Sequence, residues 1–102
     1  MQFDWTNIDT VLLDMDGTLL DLHFDSHFWR DHLPKVFAAK HNIDLAEAVA
    51  QLEPLFINHA GTLDWYCVNF WSDQLGFDIM PHKREVSHRI AYRSTAEAFL
   101  RL

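Results

Sequence analysis

An α/β fold that is mostly helix by residue count is what this chain predicts, and two observations carry the expectation. The apolar run Val11-Leu12-Leu13 leads into Asp14-Met15-Asp16-Gly17-Thr18, the pattern of a buried strand over residues 10–15 that stops in a sharp turn. Beyond it, apolar residues recur at helical spacing from Phe24 almost to the last residue, Leu102. A parallel sheet buried on both faces needs several neighbouring strands, and only one convincing strand is legible. The chain therefore reads as the first strand of an α/β core joined to a larger helical part. With 102 residues, 49% of them hydrophobic, it is one globular domain or less.

The helices follow in order. Asp25 or Ser26 can cap a first helix whose apolar positions are Phe28, Trp29, Leu33, Val36 and Phe37, kinked at Pro34 and ending near His41-Asn42. Asp44-Leu-Ala-Glu47 reads as a variant capping box opening a second helix, with Leu45, Val49, Leu52, Phe56 and His59 as its buried stripe and Pro54 bending it. Gly61-Thr62 breaks the chain before a third helix carrying Leu63, Tyr66, Cys67, Phe70 and Trp71, and Gly76 stands where a C-terminal glycine belongs. A fourth begins around Pro81 and runs toward Tyr92, and Ser94-Thr-Ala-Glu97 opens a last one.

Asp14 and Asp16 carry the chemistry. Two residues apart on a strand, they face the same way at about 6 to 7 Å along the chain. A carboxylate ionised at neutral pH can attack phosphorus without a separate base, which suits Asp14. The leaving oxygen needs a proton, and a carboxyl beside another carboxyl is pushed toward its protonated form, which suits Asp16 as general acid/base. Two carboxylates converging on a phosphate dianion require a hard divalent cation, Mg²⁺, among them. Gly17 lets the backbone turn sharply and expose amides to the phosphate. A calcium loop starting at Asp14 is excluded, because its sixth and twelfth positions hold Leu19 and Asp25 rather than Gly and Glu.

The strand followed by Asp-x-Asp-Gly-Thr and Leu19-Leu20-Asp21 resembles the first signature of the haloacid dehalogenase (HAD) superfamily, mostly Mg²⁺-dependent phosphatases. The resemblance implies Asp14 as nucleophile and Asp16 as general acid/base. Mg²⁺ would be held by the Asp14 carboxylate and the Asp16 backbone carbonyl, with Met15, Gly17 and Thr18 forming the phosphate-binding turn. It also implies a Rossmannoid core with a helical cap inserted after the first strand. Residues 1–23 would be the first strand and catalytic turn, 24–92 the cap, and 93–102 the return to the core. Phe28-Trp29 with Pro34, Leu63-Asp-Trp-Tyr-Cys67 and Trp71-Ser-Asp-Gln-Leu-Gly76 look similar to bacterial nucleotidases that hydrolyse GMP and IMP. The family's later Ser/Thr, Lys and acidic metal ligands lie on core strands not found here. The expectation is thus the amino-terminal part of a longer enzyme, inactive alone, acting on a purine mononucleotide. A sugar phosphomutase and a non-catalytic helical interaction domain are the alternatives.

Other features are weighed against ordinary structural roles. Trp29, Trp65, Tyr66 and Trp71 read first as bundle core, with Trp65 and Tyr66 the candidates for stacking a base. Lys83, Arg84, Arg89 and Arg93 read first as a solvated face, with Arg89 and Arg93 the candidates for substrate contact. His23 and His27 have one-face helical spacing but no third ligand in register, so no zinc site is expected. Cys67, the single cysteine, is expected to be an inert core thiol. A net charge of −7 repels nucleic-acid polymers and anionic membrane surfaces. No signal peptide or membrane-length apolar run is present, so the cytoplasm is the expected compartment.

Overall fold

A computed structural model describes residues 2–102 and is helical, with no strand among the described residues. In chain order the helices are α1 (His23–His27), α2 (Leu33–His41), α3 (Leu45–His59), α4 (Val68–Leu75), α5 (Met80–Glu85) and α6 (Ala96–Leu100). A π-type turn, Phe28–His32, joins α1 to α2 without a break.

The strand expected over residues 10–15 does not form. A strand exists through ladder hydrogen bonds to a neighbour, and no second strand pairs with this segment among the described residues. Its side chains are accordingly uncovered, with Leu12 91% exposed. What remains of sheet pairing is two isolated bridges, Asp16 with Leu20 and Leu20 with Tyr92.

The first helix starts earlier than expected, at His23, and Pro34 sits near the start of α2, where a missing N–H costs least. The kink that a proline predicts takes the form of the π-type turn before it, in which the Leu33 N–H reaches back five residues to the Phe28 carbonyl. Asn42 then ends α2 in the left-handed conformation (φ 55°). Asp44 caps α3 as expected, its carboxylate accepting the Glu47 N–H at 2.8 Å. The buried row of α3 is shifted at its start from the expected stripe. Ala48 and Leu52 are buried in the core, Phe56 and His59 are half-buried, and Leu45 and Val49 are exposed, with α3 packed against α2.

The third expected helix divides. Leu63–Tyr66 is a 3₁₀ turn and α4 begins only at Val68, with Cys67 as its cap. Cys67 is therefore not a core thiol: it is exposed, and its Sγ accepts the Phe70 N–H at 3.4 Å. The fourth helix ends at Glu85 rather than near Tyr92, giving way to a 3₁₀ turn at Ser87–Arg89.

The core consists of Phe28, Leu33 and Phe37 from the first helical run, Ala48 and Leu52 from α3, Trp71 and Leu75 from α4, and Ile79 and Val86 flanking α5. Two histidines that the sequence does not pair come together around Glu85. His32 Nε2 lies 2.8 Å from Glu85 Oε2, and His82 Nδ1 lies 3.2 Å from Glu85 Oε1. The His32 hydrogen bond, and then that of His82, holds the Glu85 carboxyl below its ordinary range.

Gly76 terminates α4 with φ +83°, and a Cβ there would meet no atom within 4 Å. Gly76→Ala therefore isolates the backbone cost of a left-handed L-residue, about 1 to 2 kcal/mol. Thermal unfolding should show Tm lowered by roughly 4 to 8 °C per kcal/mol for a domain of this size. An unchanged Tm would mean that α4 does not end in this turn.

Candidate active site

The turn at residues 14–20 is built by its own backbone. The Met15 carbonyl accepts N–H groups from Thr18, Leu19 and Leu20 at 3.3, 3.1 and 2.9 Å, and the Gly17 N–H donates to the Leu20 carbonyl at 2.8 Å. Gly17 has φ +77°, a conformation that glycine adopts without strain. Asp14 Oδ1 accepts the Met15 N–H at 2.8 Å, which orients its carboxylate at the entrance of the turn.

A second segment holds this turn from outside. The Ala91 carbonyl accepts the Asp21 N–H at 3.0 Å, and the Arg93 N–H donates to the Leu19 carbonyl at 2.9 Å. The Arg93 guanidinium adds a bond of 2.7 Å from Nη1 to the Gly17 carbonyl. Arg93, a sequence candidate for substrate contact, is thus spent on holding the 14–20 turn. Arg89, the other candidate, directs Nη1 toward His23 Nε2 at 3.4 Å, and its buried Nε has no hydrogen-bond partner.

Asp16 faces a cleft of about 230 Å³ that it lines together with Asp25, Trp29, Trp65, Tyr66 and Lys83. The sequence candidates Asp16, Trp65 and Tyr66 are therefore brought together, while Asp14, Arg89 and Arg93 are not part of the lining. Asp25, Trp29 and Lys83 complete the polar and aromatic wall, Asp25 being the one that the sequence offers only as a helix cap. Lys83 supplies the positive charge, its Nζ lying 5.1 Å from the ring centre of Phe28 and 5.4 Å from that of Trp29. Trp29 donates its indole N–H to Asp25 at 3.2 Å, fixing both. Only the fold could select Lys83 from its basic neighbours, since all of them share one helical stretch of sequence.

The four aromatic candidates divide by burial. Trp71 is core, and Trp29 packs edge-on against it with ring centres 5.5 Å apart. Trp65 is 37% exposed and packs edge-on to Trp71 and Phe56. Tyr66 is 80% exposed, so filling the core does not account for it.

The donor set of the turn suits a hard cation. Asp14 and Asp16 offer exposed carboxylates that form no ion pair among the described residues. Among the described residues the Asp16 carbonyl accepts no backbone hydrogen bond, because the bridge to Leu20 runs through the flanking Met15 and Gly17 groups. Oxygen donors alone are the ligands that Mg²⁺ selects.

No family model and no solved structure matches the chain. Over 96 residues, 94% of its length, it is 43% identical to the GMP/IMP nucleotidase YrfG of Escherichia coli (strain K12). The same identity over the same number of residues holds for the GMP/IMP nucleotidase YrfG of Shigella flexneri. The chain spans 43% of the length of these curated relatives. The resemblance to bacterial purine nucleotidases thus extends along nearly all of it. No helix among the described residues is long and apolar enough to cross a membrane.

The Arg93 clamp can be tested directly. Arg93→Ala should leave the helices intact and loosen the 16–20 turn by about 1 kcal/mol, an exposed charged hydrogen bond being discounted for solvent. Amide exchange at Gly17 and Leu20 should then accelerate roughly fivefold. Unchanged exchange would show that the main-chain bridges hold the turn unaided.

Proposed function

We propose that this chain supplies the catalytic turn and the cap of a Mg²⁺-dependent phosphomonoesterase of the HAD type, acting through an aspartyl-phosphate on purine nucleoside monophosphates in the cytoplasm. The observation that carries the reading is the Asp14–Thr18 turn, clamped by Arg93, whose Asp16 lines a cleft with aromatic walls and a lysine. The likeness to two GMP/IMP nucleotidases supports the substrate class. Residues 1–23 would belong to the Rossmannoid core, 24–92 to the cap, and 93–102 to the return into the core. The exposed Val11, Leu12 and Leu13 favour this division, since they offer an apolar edge on which further strands can pair.

Asp14 attacks phosphorus with one carboxylate oxygen, and the bond from phosphorus to the ester oxygen breaks. Asp16 delivers its proton to that oxygen, so the nucleoside leaves as an alcohol. Water then gives a proton back to Asp16 and attacks phosphorus, freeing phosphate and restoring Asp14. The Asp14 carboxylate and the Asp16 carbonyl would hold Mg²⁺, which, when bound, offsets the charge of phosphate and carboxylates. Lys83 adds positive charge to the cleft, while Arg93, bonded to the Gly17 carbonyl, steadies the turn, whose Gly17, Thr18, Leu19 and Leu20 N–H groups are taken up by internal hydrogen bonds. The cleft, about 230 Å³, is smaller than the roughly 300 Å³ at which small-molecule pockets begin, so this segment would enclose only part of a nucleotide.

In a protein of the relatives' length, Asp14→Asn should abolish phosphate release from GMP, because an amide is a poor nucleophile. Asp16→Asn should lower turnover by about 10² to 10⁴, the range for losing a general acid/base. Wild-type turnover in Asp14→Asn would exclude the covalent route.

Tyr66→Ala should raise KM for GMP by the equivalent of about 1 to 3 kcal/mol of base stacking. KM for p-nitrophenyl phosphate and the melting temperature should stay near wild type. Trp65→Ala should lower the melting temperature as well, since Trp65 also packs on Trp71. Equal losses on both substrates in Tyr66→Ala would remove this residue from base recognition.

A further inference from the structure

Away from the catalytic turn, His32, His82 and Glu85 converge where the π-type turn meets α5. One ligand atom from each side chain lies within 4.8 Å of those from the other two. We propose that these three side chains form a binding site for a divalent transition metal, zinc being the cation that the donor set suits best. The site is separate from Asp14 and Asp16 and does not depend on the function proposed for them.

The geometry carries the proposal. Zinc bonds of about 2.0 to 2.1 Å in a tetrahedron put neighbouring ligand atoms about 3.3 Å apart. The contacts of His32 Nε2 and His82 Nδ1 to the same oxygen, Glu85 Oε2, measure 2.8 and 3.3 Å, within half an ångström of that spacing. The remaining separation, between the two imidazoles, is at most 4.8 Å, so binding an ion would require that pair to draw together. Two imidazoles and one carboxylate form a zinc ligand set that leaves a fourth position for water, whereas Mg²⁺ and Ca²⁺ favour oxygen donors throughout.

The surroundings hold the ligands in place. The His32 and His82 side chains are only 23% and 18% exposed, while Glu85 is half-exposed, so the imidazoles are partly desolvated and an ion can still enter. The His82 ring stands edge-on to Phe77 with centres 5.6 Å apart, and the His32 ring stacks on His27 at 6.3 Å. His32 belongs to the π-type turn, an irregularity that recurs at functional sites.

The consequence is mechanical. His32 and Glu85 are 53 residues apart, so an ion shared by them would staple the start of α2 to α5 and close a long loop of chain. Lys83 follows His82 directly, and the staple would fix the cleft wall from which Lys83 projects.

The test is a titration of the purified chain with Zn²⁺ against a chromophoric chelator, with Co²⁺ as a spectroscopic substitute. The expected result is one saturable site, with affinity falling at least tenfold in each of His32→Ala, His82→Ala and Glu85→Gln. The visible absorption of bound Co²⁺ should weaken in parallel. Asp14→Asn and Cys67→Ser should retain wild-type affinity, which separates this site from the catalytic turn and from the thiol. Far-UV circular dichroism checks folding; should an alanine variant lose helicity, the isosteric and half-exposed Glu85→Gln decides. Absence of saturable binding at micromolar Zn²⁺, or full affinity in Glu85→Gln, would overturn the proposal.

Discussion

The burial of Trp71 is the constraint on which the rest of the molecule depends. Its indole is 1% exposed and meets Trp29, Phe56, His59, Trp65 and Phe70 edge-on or tilted, with ring centres 5.3 to 5.9 Å away. Edge-to-face contacts of this kind add to the area a large ring already removes from water. A buried indole also needs an acceptor for its N–H, and the Trp65 carbonyl supplies it at 3.0 Å. That bond ties the 3₁₀ turn bearing Trp65 and Tyr66 to the centre of the core. The residue that organises the core therefore also positions a wall of the cleft that Asp16 lines.

Around this core the chain distributes its charge unevenly. The whole carries −7, yet the 14–20 turn is clamped by Arg93 and the cleft beside it holds Lys83. Local cations of this kind offset, over short range, a field that is negative overall. Lys83 is kept within reach of the cleft by the faces of Phe28 and Trp29, which attract an ammonium without neutralising it. Arg93 instead secures the carbonyl of the glycine on which the turn pivots. Both lie in the final third of the chain and act on residues of the first third, so the site is assembled from segments far apart in sequence.

Local signals were read well where the determining interaction is local. The caps at Asp44 and Gly76, the helix end at Asn42 and the backbone turn at Gly17 each rest on contacts within a few residues. Errors arose where distant partners decide. The apolar run before Asp14 has strand composition, but a strand needs a neighbour to accept its hydrogen bonds, and the chain provides none among the described residues. On α3 the period marks Leu52, Phe56 and His59 correctly, but Ala48 rather than Leu45 or Val49 is buried at its start, since period alone does not say which of two adjacent rows is covered. An uninterrupted helix through Leu63–Trp71 would place Cys67 in the core, whereas the break before Val68 turns that thiol outward as a cap.

The sequence by itself determined the chemistry on offer: two carboxylates two residues apart, a glycine that can turn the backbone behind them, and helices rich in aromatic rings. Those are properties of residue type and short spacing, which covalent geometry transmits directly. Only the tertiary structure decided that Arg93 clamps the turn, that Lys83 rather than its basic neighbours lines the cleft, that Tyr66 stays exposed while Trp71 is buried, and that His32 meets His82 and Glu85. Each of these depends on which helix faces pack together, and packing is settled by the fit of whole apolar surfaces in three dimensions, which no single stretch of sequence contains.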